Sequence, residues 1–131
     1  MCVFCNIIQG IWDSKKIYED DDVIAILDLS QATYGHTLVI PKKHFKNILE
    51  VDDETYNKVM KVVKDVCHLL NKKLYPKGFN ILNNCNEVAG QTVDHFHVHI
   101  IPRYDELDLK IEFKDHSKTI DLDQVLSKIN K

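Results

Sequence analysis

The chain has 131 residues, with 17 lysine and arginine against 20 aspartate and glutamate, a formal net charge of −3. At 44% hydrophobic and 28% charged residues its composition is that of an ordinary globular domain, which excludes disordered and fibrous classes. Arg103 is the single arginine and the lysines are interleaved with acidic residues, so no basic stripe is available for a nucleic-acid duplex. A single nucleotide remains compatible with that charge pattern, provided imidazoles, amides, hydroxyls and backbone N–H groups supply the phosphate donors.

Length and the lack of any repeat or Pro/Gly/Ser linker predict one domain over residues 1–131. Met1-Cys2-Val3-Phe4-Cys5 has neither the basic start nor the apolar run of a secretory signal. The longest aliphatic stretch, Val23-Ile24-Ala25-Ile26-Leu27, falls far short of the ~20 residues a membrane helix needs. The expected setting is cytoplasmic, without a membrane partner, and a reducing compartment keeps cysteines as thiols.

In chain order, residues 5–10 suggest a short helix. Two strands follow, 17–19 and 23–27, joined by the acidic turn Asp20-Asp21-Asp22. Thr37-Leu38-Val39-Ile40 is a strand stopped by Pro41. A long helix over 52–74 starts at an Asp52 or Asp53 cap, with Glu54 favoured by the helix dipole. Its apolar face is Tyr56, Val59, Val63, Val66, Leu70 and Leu74, and Pro76 with Gly78 should end it. Residues 79–82 and 94–101 read as further strands. In the tail, 109–113 suggests a strand and 123–130 a terminal helix. Strand runs with short connections and one long helix predict an α+β fold, an antiparallel sheet of about five strands packed on that helix.

His95-Phe96-His97-Val98-His99-Ile100-Ile101 is the most informative segment. On a strand, His95, His97 and His99 share one face, about 6.7 Å apart along the chain, and Phe96, Val98 and Ile100 share the other. Packing gives no reason to place three ionisable rings together. A solvated polar face, a metal site, and acid–base or nucleophilic chemistry on a phosphate or carbonyl are all open on this pattern. Asn83-Asn84 and Gly90-Gln91-Thr92 lie just upstream and offer donors for phosphate and ribose oxygens. Cys2-Val3-Phe4-Cys5 is a C-x-x-C that reads as a redox pair, half of a metal site, or coincidence. Two thiolates on one ion need two more N or S ligands, and His44 and His95 are candidates. Cys67 fits the helix core, His68 and His116 the surface, and Cys85 a free thiol near the pocket.

Asp28-Leu29-Ser30, Gly35-His36-Thr37-Leu38-Val39-Ile40-Pro41-Lys42-Lys43-His44, Gly90-Gln91-Thr92 and the histidine segment resemble the histidine triad (HIT) superfamily. The resemblance spans about 2–104 and is greatest to the bacterial-type histidine triad nucleotide-binding branch, the nucleoside phosphoramidate hydrolases. Residues 105–131 lie outside it. It implies a homodimer whose two sheets join, and a phosphoramidase acting on nucleoside 5′-phosphoramidates or related nucleotide conjugates. His97 matches the nucleophile that becomes nucleotidylated; His99, Gln91 and Thr92 match phosphate-binding positions. His36 matches a phosphate-side histidine that assists the leaving group. Asp28 matches the ribose carboxylate and Asn84 a nucleotide-contacting amide. Substrate or product would be a purine nucleotide such as AMP or GMP. Zinc-bearing members use the pattern Cys2, Cys5, His44 and His95, which implies a structural Zn2+ and no catalytic metal.

Thr92 stands where serine is common, and Asn86-Glu87-Val88-Ala89 is poorer in glycine than the loop of many relatives. A histidine at 99, where glutamine would mark a nucleotidyltransferase, favours hydrolysis. No basic zinc-finger extension follows the motif. The competing readings are a dinucleoside polyphosphate hydrolase of the same superfamily, a metallohydrolase using the histidine face, and a non-enzymatic nucleotide-binding or scaffold protein.

Overall fold

The structure, a computed structural model, describes residues 2–131. Its elements run α1 (Val3–Ile8), β1 (Lys16–Glu19), β2 (Val23–Leu27), β3 (Thr37–Pro41), α2 (Asp53–Leu74), β4 (Gly78–Leu82), a 3-10 turn (Glu87–Ala89), β5 (Val98–Arg103) and α3 (Leu122–Ile129). The five strands form one sheet in the order β1-β2-β3-β5-β4, and every neighbouring pair is antiparallel. This is the expected α+β architecture. Among the described residues no helix is long and apolar enough to cross a membrane.

Both faces of the sheet are covered, which is why β2 and β3 are apolar without alternation. Val23, Ala25, Val39, Val98 and Ile100, with Phe96, form one core against Val59, Val62, Val63, Val66 and Leu70 of α2. Each valine, leucine or isoleucine among them contributes roughly 1.5–3 kcal/mol over leaving it exposed. Ile24, Ile26, Leu38 and Ile40 point to the other face, where Phe4 of α1 closes over them. The register aligns His99 with Leu38, Leu38 with Ile26, and Ile26 with Lys16, so one row of side chains crosses from β5 to β1 on that second face.

The ends of α2 follow its sequence. The Asp52 carboxylate accepts from the Thr55 N–H at 2.7 Å, and Lys72 and Lys73 occupy the last turn. Tyr75, not Gly78, takes the left-handed conformation that terminates the helix, and Gly78 opens β4. α1 starts two residues earlier than the sequence suggests, because the Cys2 thiol caps it by accepting from the Cys5 N–H at 3.2 Å.

Two expectations need correction. Residues 94–97 are not part of β5. The last β3 pairing is Val39 with Val98, and Pro41 has no N–H to extend the ladder. The Phe96 N–H turns away to the Phe45 carbonyl at 2.7 Å. The segment 109–113 forms no strand either. Arg103 instead holds the start of the tail, its guanidinium donating to Asp108 Oδ1 at 2.5 Å, Asn80 Oδ1 at 2.6 Å and the Leu109 carbonyl at 2.7 Å. α3 follows the expected terminal helix, but none of its residues is buried.

Gly35 makes the turn into β3 possible. Its φ is +92°, and a Cβ there would lie 2.6 Å from Leu74 Cδ1. Gly35→Ala should therefore destabilise the chain by about 1–3 kcal/mol. Urea denaturation measures this, and an unchanged midpoint would show that the turn relaxes freely.

Candidate active site

His97 lies on the bend just before β5 and is 6% exposed. Its Nδ1 donates to the His95 carbonyl at 2.7 Å. With that proton fixed, Nε2 is the ring nitrogen that carries the lone pair. The His97 carbonyl accepts from Asn83 Nδ2 at 2.9 Å, which holds the bend from the other side. The ring of Phe4 stands edge-on to His97, with centroids 4.9 Å apart and planes at 79°.

His99 and His36 form a second unit. The Ala32 N–H donates to His36 Nδ1 at 3.1 Å, so the proton of that ring sits on Nε2. Nε2 lies 2.9 Å from His99 Nδ1 and donates to it. His99 is thereby left with its own proton on Nε2, as a donor. The Asp28 carboxylate is 3.5 Å from His36 Nε2, and its other oxygen accepts from the Ser30 N–H at 2.8 Å. Asp28, His36 and His99 are close enough to face one ion. The proton on His36 Nε2 occupies the position where a metal would need a lone pair, so this group suits hydrogen bonding and not ligation.

Burial sets the protonation of the site. Desolvation pulls His99 down to about 4, with His97 and His36 adding to the shift and Asp28 opposing it. Desolvation also lowers His97 below the usual imidazole value, against its bond to the His95 carbonyl and the charge of Asp28. Both rings are neutral near pH 7.

His97, His99, Asp28 and Thr92 line one cavity of about 210 Å³, walled by apolar side chains of α1, β2 and β3. Asn84 and Gln91 are placed otherwise. Asn84 Nδ2 donates to the Gly90 carbonyl at 3.3 Å. Gln91 is buried; its Nε2 donates to the carbonyls of Lys46 at 2.6 Å and Val93 at 3.0 Å, and its Oε1 accepts from the Asn86 N–H. Every polar group of that amide is engaged with backbone. It braces the loop that carries Thr92. Cys85 is half-buried, and His68 and His116 are exposed.

Cys2, Cys5, His44 and His95 meet beside the cavity, with their ligand atoms all within 4.8 Å of one another. The sulfur-to-nitrogen distances run from 3.4 to 3.7 Å, and the two Nδ1 atoms are 3.0 Å apart. Two thiols and two imidazoles at this spacing can hold a tetrahedral metal ion. His95 Nε2 donates to the Pro41 carbonyl at 2.7 Å, which turns the Nδ1 lone pair toward the cluster.

Comparison with known proteins places this arrangement. The HIT domain matches residues 9–106, and the chain belongs to the HIT family. A HIT family protein from Bacillus anthracis is 43% identical and superimposes with a TM-score of 0.90, over 98% of this chain and 94% of its own. The adenosine 5′-monophosphoramidase of Schizosaccharomyces pombe is 38% identical over 105 residues, 80% of this chain and 76% of its own. A zinc-bound histidine triad family protein from Mycobacterium smegmatis is 35% identical with a TM-score of 0.80, over 89% of this chain and 86% of its own. Hydrolases are thus among the named members of the family.

His99 makes stability depend on pH. Its pKa falls from 6.5 to about 4 on folding. Between those values the unfolded chain binds a proton that the folded chain does not, so stability is full above 6.5 and is lost as pH falls through the window. The urea midpoint should be lower at about pH 5 than at about pH 7.5. His99→Asn should reduce that difference without abolishing it, because buried His95 and His97 titrate low as well. An equal pH dependence in the variant would show that His99 contributes nothing to it.

Proposed function

We propose that the protein is a nucleotidyl hydrolase that cleaves nucleoside 5′-phosphoramidates or related nucleotide conjugates through a nucleotidyl-histidine on His97. The observation that carries this is the tautomer of His97. A neutral ring, with Nδ1 committed to a backbone carbonyl and Nε2 free, lines a cavity beside a carboxylate, a hydroxyl and an imidazole donor. Nε2 attacks the α-phosphorus as the phosphorus–nitrogen bond breaks, and the amine departs with a proton supplied by solvent, which regains one when water is cleaved in the next step. Water then attacks the same phosphorus, releasing the nucleoside monophosphate and restoring the ring.

His99 donates from Nε2 to a phosphate oxygen, and Thr92 offers its hydroxyl at the cavity edge. His36 acts through His99, whose tautomer it fixes. Asp28 accepts from the ribose hydroxyls. Asn84 and Gln91 shape the loop around the phosphate, with Gln91 acting as a brace and not as a donor. The activity of the yeast phosphoramidase relative supports the choice of a phosphorus–nitrogen bond.

Zinc is the metal that suits Cys2, Cys5, His44 and His95, as their N and S donors and the zinc-bound relative both indicate. Held there, it ties α1 to the segment that carries His97. It performs no step of the reaction. Residues 1–131 act as one domain, and the assembly is a homodimer in the cytoplasm. The edge strand β4, which leaves Ile81 and Leu82 exposed, is the place for two sheets to join. Protein purified without a histidine tag should carry about one zinc per chain and sediment as a dimer. A monomer at micromolar concentration, or less than a tenth of that metal, would count against each in turn.

His97→Ala should keep nucleotide binding, because Asp28, Thr92 and His99 remain. Turnover should fall by at least about 1,000-fold with the covalent route removed. Rapid quenching with labelled substrate should trap nucleotide on the unaltered protein and none on the variant. Substantial turnover by His97→Ala would overturn the mechanism.

A further inference from the structure

The side-chain oxygen of Ser14 is buried with no hydrogen-bond partner, alone in this among the described residues. A native structure keeps such a group for a reason, and a ligand in the adjoining cavity, met by rotation of the hydroxyl about χ1, is one. Ser14 and the adjacent Asp13 line the same cavity as His97 and His99. Neither belongs to any motif the sequence offers, and nothing in the hydrolytic mechanism uses them.

Their place in the sheet gives them a role. The row His99, Leu38, Ile26, Lys16 crosses the second face of the sheet through paired positions. Three strand spacings separate β5 from β1, about 14 Å, comparable to the length of an extended nucleoside monophosphate. The Leu27 N–H donates to the Lys15 carbonyl at 2.9 Å, which pins the 13–15 segment beside the end of β2. With the phosphate at His97 and His99 and the ribose at Asp28, the base lies toward β1. There Ile26 and Leu38 form an apolar floor, and Phe4 and Ile7 form the facing wall. A flat aromatic ring suits that slot.

We propose that Asp13 and Ser14 read the Watson–Crick edge of a guanine base, so that the preferred substrates are guanosine 5′-monophosphate conjugates. This rests on the nucleotide-site reading above. Guanine presents O6, N1–H and N2–H2 side by side. A carboxylate accepts from the two adjacent donors and a neighbouring hydroxyl donates to O6. Adenine offers the carboxylate a single donor, N6–H2. Hypoxanthine keeps O6 and N1–H but lacks the N2 amine. A site built to hydrogen-bond a group discriminates against the analogue that lacks it.

Calorimetric titration with GMP, IMP and AMP tests this on the zinc-loaded protein without any turnover. GMP should bind roughly 5- to 100-fold more tightly than AMP, with IMP between them. Asp13 is exposed, so Asp13→Ala should leave the melting curve unchanged and weaken GMP binding far more than AMP binding, bringing the GMP-to-AMP ratio close to one. Ser14→Ala should weaken GMP binding without lowering the stability of the free protein, because it removes an unsatisfied hydroxyl. A ratio near one in the unaltered protein, or a ratio that survives Asp13→Ala, overturns the guanine assignment and leaves the nucleotide site standing. Failure of all three nucleotides to bind overturns both.

Discussion

Burial of imidazole is the constraint on which this molecule turns. A ring taken out of water loses its affinity for a second proton, and desolvation brings both His95 and His99 to about 4. A neutral imidazole has one donor and one acceptor, so each buried ring must be told which nitrogen is which. Backbone does most of that: the Pro41 carbonyl for His95, the His95 carbonyl for His97, and the Ala32 N–H for His36. His99 inherits its tautomer from His36. The chemistry of the site is therefore written in main-chain geometry, at a bend where the sheet ladder stops.

The same segment serves two neighbouring centres without confusing them. His95 turns its lone pair toward Cys2, Cys5 and His44, whereas His97 turns its free nitrogen into the cavity. They sit two residues apart on a bend, and Phe4 lies edge-on to both rings, at 5.9 Å from His95 and 4.9 Å from His97. An apolar ring between a thiol-rich cluster and a nucleophile keeps water out of the boundary. It also makes the position of α1 matter to His97, although α1 contributes no polar group to the cavity.

Much of this was legible in the sequence because it rests on short-range pattern. The face of α2 was readable from its three-and-four spacing, and the caps from Asp52 and the paired lysines. The histidine face followed from alternation. Residues 94–97 misled because alternation persists where pairing has ended; nothing near them announces that the strand across from them is the one that Pro41 stops. The tail misled for another reason. Residues 109–113 have strand composition, but the Arg103 guanidinium fixes their approach, a contact set by β4 and β5. Gln91 is placed by the backbone it binds, which no motif specifies. Asp13 and Ser14 gave no signal, since a serine without a partner is a property of three dimensions.

α1 is six residues long, too short to persist alone in water. Its anchors lie almost at the far end of the core: Cys2 and His95 are 93 positions apart, and Cys5 and His95 are 90. A chain growing from its N-terminus makes this segment before the histidine segment, so Phe4 can meet β2 and β3 early. The full set of anchors exists only once the histidine segment has emerged. Closing so long a loop comes late because its entropy must be met before its contacts form. The molecule thus becomes chemically competent at the last step of its own assembly. A partly made chain holds its cysteines and its histidines apart, and neither the metal cluster nor the oriented nucleophile exists before the whole core does.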